Sequence, residues 1–460
     1  MLFRSEINPQ LVDTYTASPD NLHYSFTLRE GLKFSDGTPL TTKDVIASIK
    51  RWGARDNLGA KLLAAAEKLE AKDDRTFTLD FKKPFGMVLD AFSKPSSIPL
   101  FVMPEKVAQT DPFKQITDMT GSGPYMFAAD RYRPGEKVVY LKNPYYVPRN
   151  EPADGTAGGK HVYVDELDWV ILRDAQTVAN AIEKGEVDVV EMVPNEQYSV
   201  LKKNPDIQLL NQTGKQSAML HLNHAIPPFN NPKIAQAALM AINQAALQRA
   251  QIVHKELWNT CTSIYPCGSL YASDKTDYFT GKPQFKRAQE LLKEAGYDGT
   301  PVVLMLPADM PSLNKYPPVM AELLRRAGFK VDLQSMDWAT LVTRRTKSSP
   351  VSEGGWNGFI TFWNQADTFN PLFFAPLTGS GLKGWFGWTD DPKLEALKDE
   401  FVGTSDLAKR KELAEGIQLR VMDSGVYGML GEAKPIIALR KNISGLVEAP
   451  ISVFWGLKKD

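Results

Sequence analysis

Asp367 and Asn370, with Asn364 shortly before them, stand in the stretch Gly354-Gly-Trp-Asn-Gly-Phe-Ile-Thr-Phe-Trp-Asn-Gln-Ala-Asp-Thr-Phe-Asn-Pro371. One carboxylate, flanked by amides and by the rings of Phe362 and Trp363, is a set of groups able to grip an organic cation. The acid attracts its charge and the ring faces attract it through their quadrupoles. Phe359 to Trp363 reads as a buried strand, apolar and β-branched, with glycines before it and turn formers after it. The polar groups therefore fall at the C-terminal end of a strand, where an α/β scaffold offers a ligand site. Asp is equally an ordinary residue for capping a turn or the next helix. The local sequence leaves both roles open.

Catalytic chemistry is hard to find elsewhere. The five histidines, His23, His161, His221, His224 and His254, are scattered. His221 and His224 are spaced i,i+3 near a strand, not i,i+4 on a helix around an acid, so they read as core or surface residues and no metal site is expected. No Gly-x-Ser-x-Gly elbow or Ser-x-x-Lys motif occurs, and no carboxylate pair is singled out as acid and base. Gly121-Ser-Gly-Pro-Tyr125 lacks a phosphate-binding spacing and leads into a strand. Trp356, Trp363, Trp385 and Trp388, with Phe362, Phe369, Phe373, Phe374 and Phe386, concentrate rings in one region; most pack a core and some wall a pocket. These residues describe a binder, with no cofactor, rather than an enzyme.

The 54 basic and 54 acidic residues balance, so no charge excess points to nucleic acid or an anionic membrane. No apolar run reaches the ~18 residues that span a bilayer. Cys261 and Cys267 lie in Thr-Cys-Thr-Ser-Ile-Tyr-Pro-Cys-Gly, a turn that suits a short-loop disulfide of an exocytoplasmic protein, with two buried thiols as the alternative. Met1-Leu-Phe-Arg-Ser has no basic and apolar leader pattern, so the expectation is either a cytosolic protein or a lost front end.

The elements that must position these residues alternate between strand and helix. Strands are expected at His23–Leu28, within Leu69–Phe81, at Val138–Leu141, Lys142–Tyr146, Asp165–Leu172, Val187–Val190, Met219–Asn223, Val302–Leu306, Val331–Gln334, Ile436–Leu439 and Val453–Leu457. Helices are expected at Lys43–Arg51, Thr177–Lys184, Pro232–Ala250, Phe285–Ala295, Tyr316–Ala327, Pro392–Phe401 and Asp406–Met422. The fold class is α/β, in two successive lobes with no low-complexity linker.

Several segments together resemble the peptide- and nickel-binding solute receptors of ABC importers. They are Tyr24-Ser-Phe-Thr-Leu-Arg-Glu-Gly-Leu-Lys-Phe-Ser-Asp-Gly-Thr-Pro-Leu-Thr-Thr-Lys-Asp-Val45, Gly121–Tyr125, Lys142-Asn-Pro-Tyr-Tyr146, Ala181-Ile-Glu-Lys-Gly-Glu-Val-Asp188, Leu222-Asn-His-Ala-Ile-Pro-Pro-Phe-Asn-Asn-Pro232, Ala288–Tyr297 and the stretch around Asp367. The resemblance implies a two-lobed, type II periplasmic-binding-protein-like fold. Residues 1–214 plus 440–460 would form lobe I, with an inserted subdomain at 38–120, and residues 215–439 lobe II. It implies an extracytoplasmic, periplasmic monomer that closes on a small peptide or cationic small molecule and docks on an ABC transporter permease. It further implies that the family's signal peptide and first strand–helix segment are missing from this chain, as in a truncated gene.

In peptide-binding members an acid aligned with Asp367 holds the ligand amine. The implied site is Asp367 with Trp363, Phe362, Asn364, Asn370 and Trp385, with Asp309 and Met310 nearby and Tyr125 from the other lobe. Met310 stands where dipeptide binders place an arginine for the ligand carboxylate, so an amine-bearing or capped ligand fits better than a standard dipeptide. Asn370 replaces an acid and Ala235 an arginine of the family pattern. The rival readings are a hydrolase on a two-lobed scaffold and a nickel, haem or sugar receptor of the same family.

Overall fold

A computed structural model describes residues 7–211, 214–449 and 451–460. Met1–Ser5, on which the reading of the N-terminus rests, lie outside them. Among the described residues the chain divides into two units: one holds Gly214–Phe401 and Asp406–Pro435, and the other holds residues 7–211 with Val402–Ser405 and the chain from Ile436 onward.

In the unit that contains the N-terminal half, β1 (Val12–Ala17) pairs antiparallel with β2 (His23–Leu28). Helix α1 (Thr42–Gly53) starts at a capping box in which Thr41 and Asp44 satisfy each other's backbone N–H groups, and it buries Val45, Ile49 and Trp52. Next come α2 (Asn57–Ala65), β3 (Ala66–Ala71) and β4 (Thr76–Phe81), which complete a sheet of order β1-β2-β4-β3. The β2–β4 ladder runs from His23↔Asp80 to Thr27↔Thr76. It bonds residues on both sides of Thr38, so a subdomain beginning there shares its sheet with the chain that precedes it.

Short helices α3 (Val88–Ser93) and α4 (Glu105–Ala108) lead to a three-stranded antiparallel sheet of β5 (Tyr125–Phe127), β6 (Lys137–Lys142) and β7 (Glu166–Val170). The strand expected at Lys142–Tyr146 does not form beyond Lys142. There the Asn143 side chain accepts from Tyr145 N at 3.0 Å and donates to the Gly123 carbonyl at 2.8 Å, turning the chain. Helix α5 (Ala175–Lys184) is N-capped by Asp174 and stops at Gly185, whose φ of 77° few other residues adopt. Then follow β8 (Val189–Val190), α6 (Tyr198–Leu201) and β9 (Ile207–Asn211).

The other unit is built on β10 (Gln216–Leu222). The single helix expected over Pro232–Ala250 is two, α7 (Pro232–Met240) and α8 (Gln244–Gln251). The Asn243 side chain accepts from Ala246 N at 3.1 Å and caps a new start. After β11 (Trp258–Asn259) and α9 (Phe285–Glu294) come β12 (Val302–Pro307), α10 (Tyr316–Arg326), β13 (Val331–Met336) and α11 (Trp338–Arg344). The last stretch is β14 (Gly358–Asn364), α12 (Gln365–Thr368), α13 (Pro392–Gly403), α14 (Leu407–Ser424) and β15 (Tyr427–Ala433). The C-terminal strands β16 (Ile436–Arg440), β17 (Ile443–Ser444) and β18 (Lys458–Lys459) return to the first unit. Val453–Leu457, expected as a strand, precedes β18 rather than forming it.

The sheet of this second unit has the order β11-β15-β10-β14-β12-β13. Strands β12, β13 and β14 are parallel, whereas β10 is antiparallel to both β14 and β15. On one face Met305, Phe359 and Trp356 pack against Leu341 of α11 and Trp388, forming a buried cluster edged by Met336, Trp338, Trp385 and Phe386.

Candidate ligand-binding site

Because β12, β13 and β14 are parallel, their C-terminal ends emerge along one edge of the sheet. Asp309 and Met310 follow β12, Asp337 and Trp338 follow β13, and Asn364 and Asp367 close β14. Asp309 accepts from Trp338 N at 2.7 Å, and Asp337 caps α11 by accepting from Thr340 N at 2.9 Å. Asp367 is buried and serves as the third residue of α12. Its Oδ2 accepts from Asn364 N at 3.1 Å while the Asn364 side chain accepts from the backbone of Asp367, a reciprocal capping box. The capping role open to Asp367 in the sequence is therefore realised. Asn364 also accepts from Gln216 Nε2 at 3.2 Å. Asn370 is buried and shapes a turn by accepting from Leu372 N at 3.0 Å.

The two rings expected beside Asp367 are separated by strand alternation. Trp363 lies opposite Ser217 and shares a face with Phe359 and His221, whereas Phe362 lies opposite Ala218 on the other face. They cannot both wall one slot on that sheet face. Trp363 instead joins Trp385, also expected at the site, and three residues that the sequence-based site lacks: His221, Phe359 and Tyr427. Its Nε1–H donates to His221 Nε2 at 3.2 Å. His221 stacks on Phe359 at 4.9 Å between ring centroids and also meets Trp385 at 4.9 Å and Tyr427 at 6.1 Å. Trp385 closes on Trp363 at 5.5 Å. Burial, aided by the positive charge of Arg345, pulls the His221 pKa down to about 3, so the ring is neutral near pH 7. Tyr125 belongs to the other unit. Its hydroxyl donates to the Phe454 carbonyl at 3.1 Å, and burial pushes its pKa up to about 12.

The sequence alone gives Arg345 no role and reads His221 as an ordinary core or surface residue. Arg345 places its guanidinium carbon 5.1 Å from the Phe386 ring centre, 5.8 Å from those of Trp338 and Trp385, and 6.0 Å from that of Phe359. A signal was present: Trp338, Leu341 and Arg345 are spaced i, i+3, i+7, so the arginine continues a buried helical stripe.

Cys261 and Cys267 are joined in a disulfide. With Glu432 they form a close group of potential metal donors among the described residues, but those donors are already engaged. Both sulfurs are bonded to each other, and the fully buried Glu432 accepts from Lys215 Nζ at 3.0 Å, Asn259 Nδ2 at 2.7 Å and Cys267 N at 2.7 Å.

Comparisons with known proteins place the chain among receptors. Over 463 residues the chain is 35% identical to a probable peptide ABC transporter periplasmic-binding protein of Sinorhizobium fredii, covering 99% of this chain and 86% of the relative. It is 27% identical over 459 residues to a glutathione-binding protein of Escherichia coli, covering 96% of this chain and 84% of that one. A solved dipeptide-binding protein from a Pseudoalteromonas species, in complex with Met-Leu, shares the fold. Its TM-score is 0.81 at 21% identity, over 99% of this chain and 92% of that one. The model of bacterial extracellular solute-binding proteins, family 5, matches residues 6–385. These are receptors for solutes, not enzymes, and the chain belongs to that family of extracellular solute-binding proteins.

Proposed function

We propose that this receptor captures a peptide-like or amine-bearing small molecule and hands it unaltered to an ABC transporter permease, acting as a periplasmic monomer. The observation that carries the reading is the buried Asp367 carboxylate at the C-terminal end of β14, the strand that also presents Trp363. A ligand ammonium meeting that carboxylate would form a charge-assisted hydrogen bond in a low-dielectric setting. The peptide-binding relative, the glutathione-binding relative and the Met-Leu complex support a ligand with a free amine. The close group of metal donors among the described residues, Cys261, Cys267 and Glu432, does not favour a nickel receptor, because its two sulfurs are bonded to each other.

Native mass spectrometry of the full-length protein, looking for a co-purified solute, tests the reading. The captured mass should be that of a small amine, and titration of Asp367→Asn with the same compound should show weakened binding. An unchanged affinity would remove Asp367 from the site, and heat released on titration with nickel salts would favour the metal-receptor reading.

A further inference from the structure

Arg345 is a half-buried cation with no counter-ion among the described residues. Its Nε is buried and makes no hydrogen bond, and four aromatic rings surround the guanidinium within about 6 Å. Burial lowers its pKa, yet an arginine keeps its charge at any physiological pH. The neighbouring Arg344 shows what a structural arginine does here: it donates to the carbonyls of Gly354 and Gly355 and to Gln334 Oε1, at 3.1, 2.7 and 2.6 Å. Ring faces compensate one surface of a guanidinium but accept none of its five N–H groups in plane. Leaving the buried Nε–H unmatched is costly, and an unmatched buried group in a native site calls for a physical reason.

The position is also held firmly. The buried Trp356 indole donates to the Arg345 backbone carbonyl at 3.2 Å, fixing the end of α11 beneath the ring cluster. His221, whose pKa the charge of Arg345 helps to lower, is neutral near pH 7 and supplies no negative charge. A ring-stacked guanidinium with no ion pair among the described residues presents a planar fork suited to a bidentate carboxylate.

We infer that Arg345, seated among Trp338, Phe359, Trp385 and Phe386, is the anion anchor of the receptor and takes a carboxylate of the solute. The inference rests on the proposed solute-receptor site, because Trp385 links Arg345 to Trp363. It sharpens the ligand class to amino acids or short peptides with a free carboxylate and an apolar body. The arginine missing at Met310, in the loop after β12, is thus replaced from the C-terminal end of α11, and the objection to an ordinary peptide acid falls away.

The test is calorimetric titration of the full chain with Met-Leu and glutathione, each beside its C-terminal amide and its N-acetyl form. A free acid should bind at least about tenfold more tightly than its amide, as expected for losing a hydrogen-bonded charge. Arg345→Gln should erase that preference, and Arg345→Lys should restore part of it with a thermal midpoint like that of the parent. Equal binding of acid and amide, an acid preference that survives Arg345→Gln, or no binding by either free acid would overturn the inference. Indifference to N-acetylation would instead count against Asp367 alone, leaving Arg345 in place.

Discussion

The indole N–H of Trp363 donates to Nε2 of His221 across 3.2 Å, which leaves the imidazole proton on Nδ1. The ring is thereby held as a neutral acceptor among Phe359, Trp385 and Tyr427, with Arg345 the charged group acting on it. Its folded pKa of about 3 lies below the ordinary value of 6.5, so the unfolded chain binds the extra proton first. Stability from this site is complete above pH 6.5 and is lost progressively as pH falls from 6.5 toward 3. His221→Phe should remove the dependence. Urea unfolding at pH 7 and 4.5 should show the parent losing about 2–3 kcal/mol more than the variant.

Asp367 has two roles that separate by substitution. Asp367→Asn keeps an acceptor for Asn364 N and removes the charge, so stability should hardly change while solute affinity falls by about 1.5–3 kcal/mol. Asp367→Ala loses the cap as well, at about 0.5–2 kcal/mol of stability. Parallel calorimetry and thermal melts distinguish the two effects.

The disulfide closes a loop of sequence separation 6. Replacing Cys261 and Cys267 by alanine should lower stability by about 2 kcal/mol, the value for constraining so short a loop in the unfolded chain. Denaturation curves with and without reductant should move the parent, but not the double variant, by that amount.

Glu432 is fully buried, and Lys215 bonds both to it and to the Cys267 carbonyl at 2.9 Å. Glu432→Ala removes the counter-charge of Lys215, which keeps the Cys267 carbonyl, and leaves the N–H groups of Asn259 Nδ2 and Cys267 without that acceptor, which should cost about 3 kcal/mol. Lys215→Met should be less damaging in chemical denaturation, because Asn259 and Cys267 N still satisfy the carboxylate.

Local patterns carried most of the element order. The 3.6-residue stripes and Gly stops predicted α5, α9 and α10 closely, because Gly185 and the buried faces decide those boundaries without distant partners. Asn243 shows where such reading ends: one side chain competing for backbone N–H groups splits an apparently continuous stripe. Asp367 was singled out for its type and setting, but its cap depends on Asn364 three residues away. For Arg345 the sequence offers only a helical-stripe signal, because its four rings come from α11, β14 and the 385–386 segment and meet only through tertiary packing. The separation of Phe362 from Trp363 follows from the two-residue period alone and could have been read in advance.

Five of the nine tryptophans, Trp338, Trp356, Trp363, Trp385 and Trp388, crowd this one region. Trp356 and Trp388 are buried, whereas the other three are partly open. Their ultraviolet emission therefore comes from two populations, one shielded and one sensitive to local polarity and to quenching by a nearby guanidinium. A solute settling on Arg345 would perturb the second population and spare the first, so the protein carries a label-free optical gauge of its own occupancy.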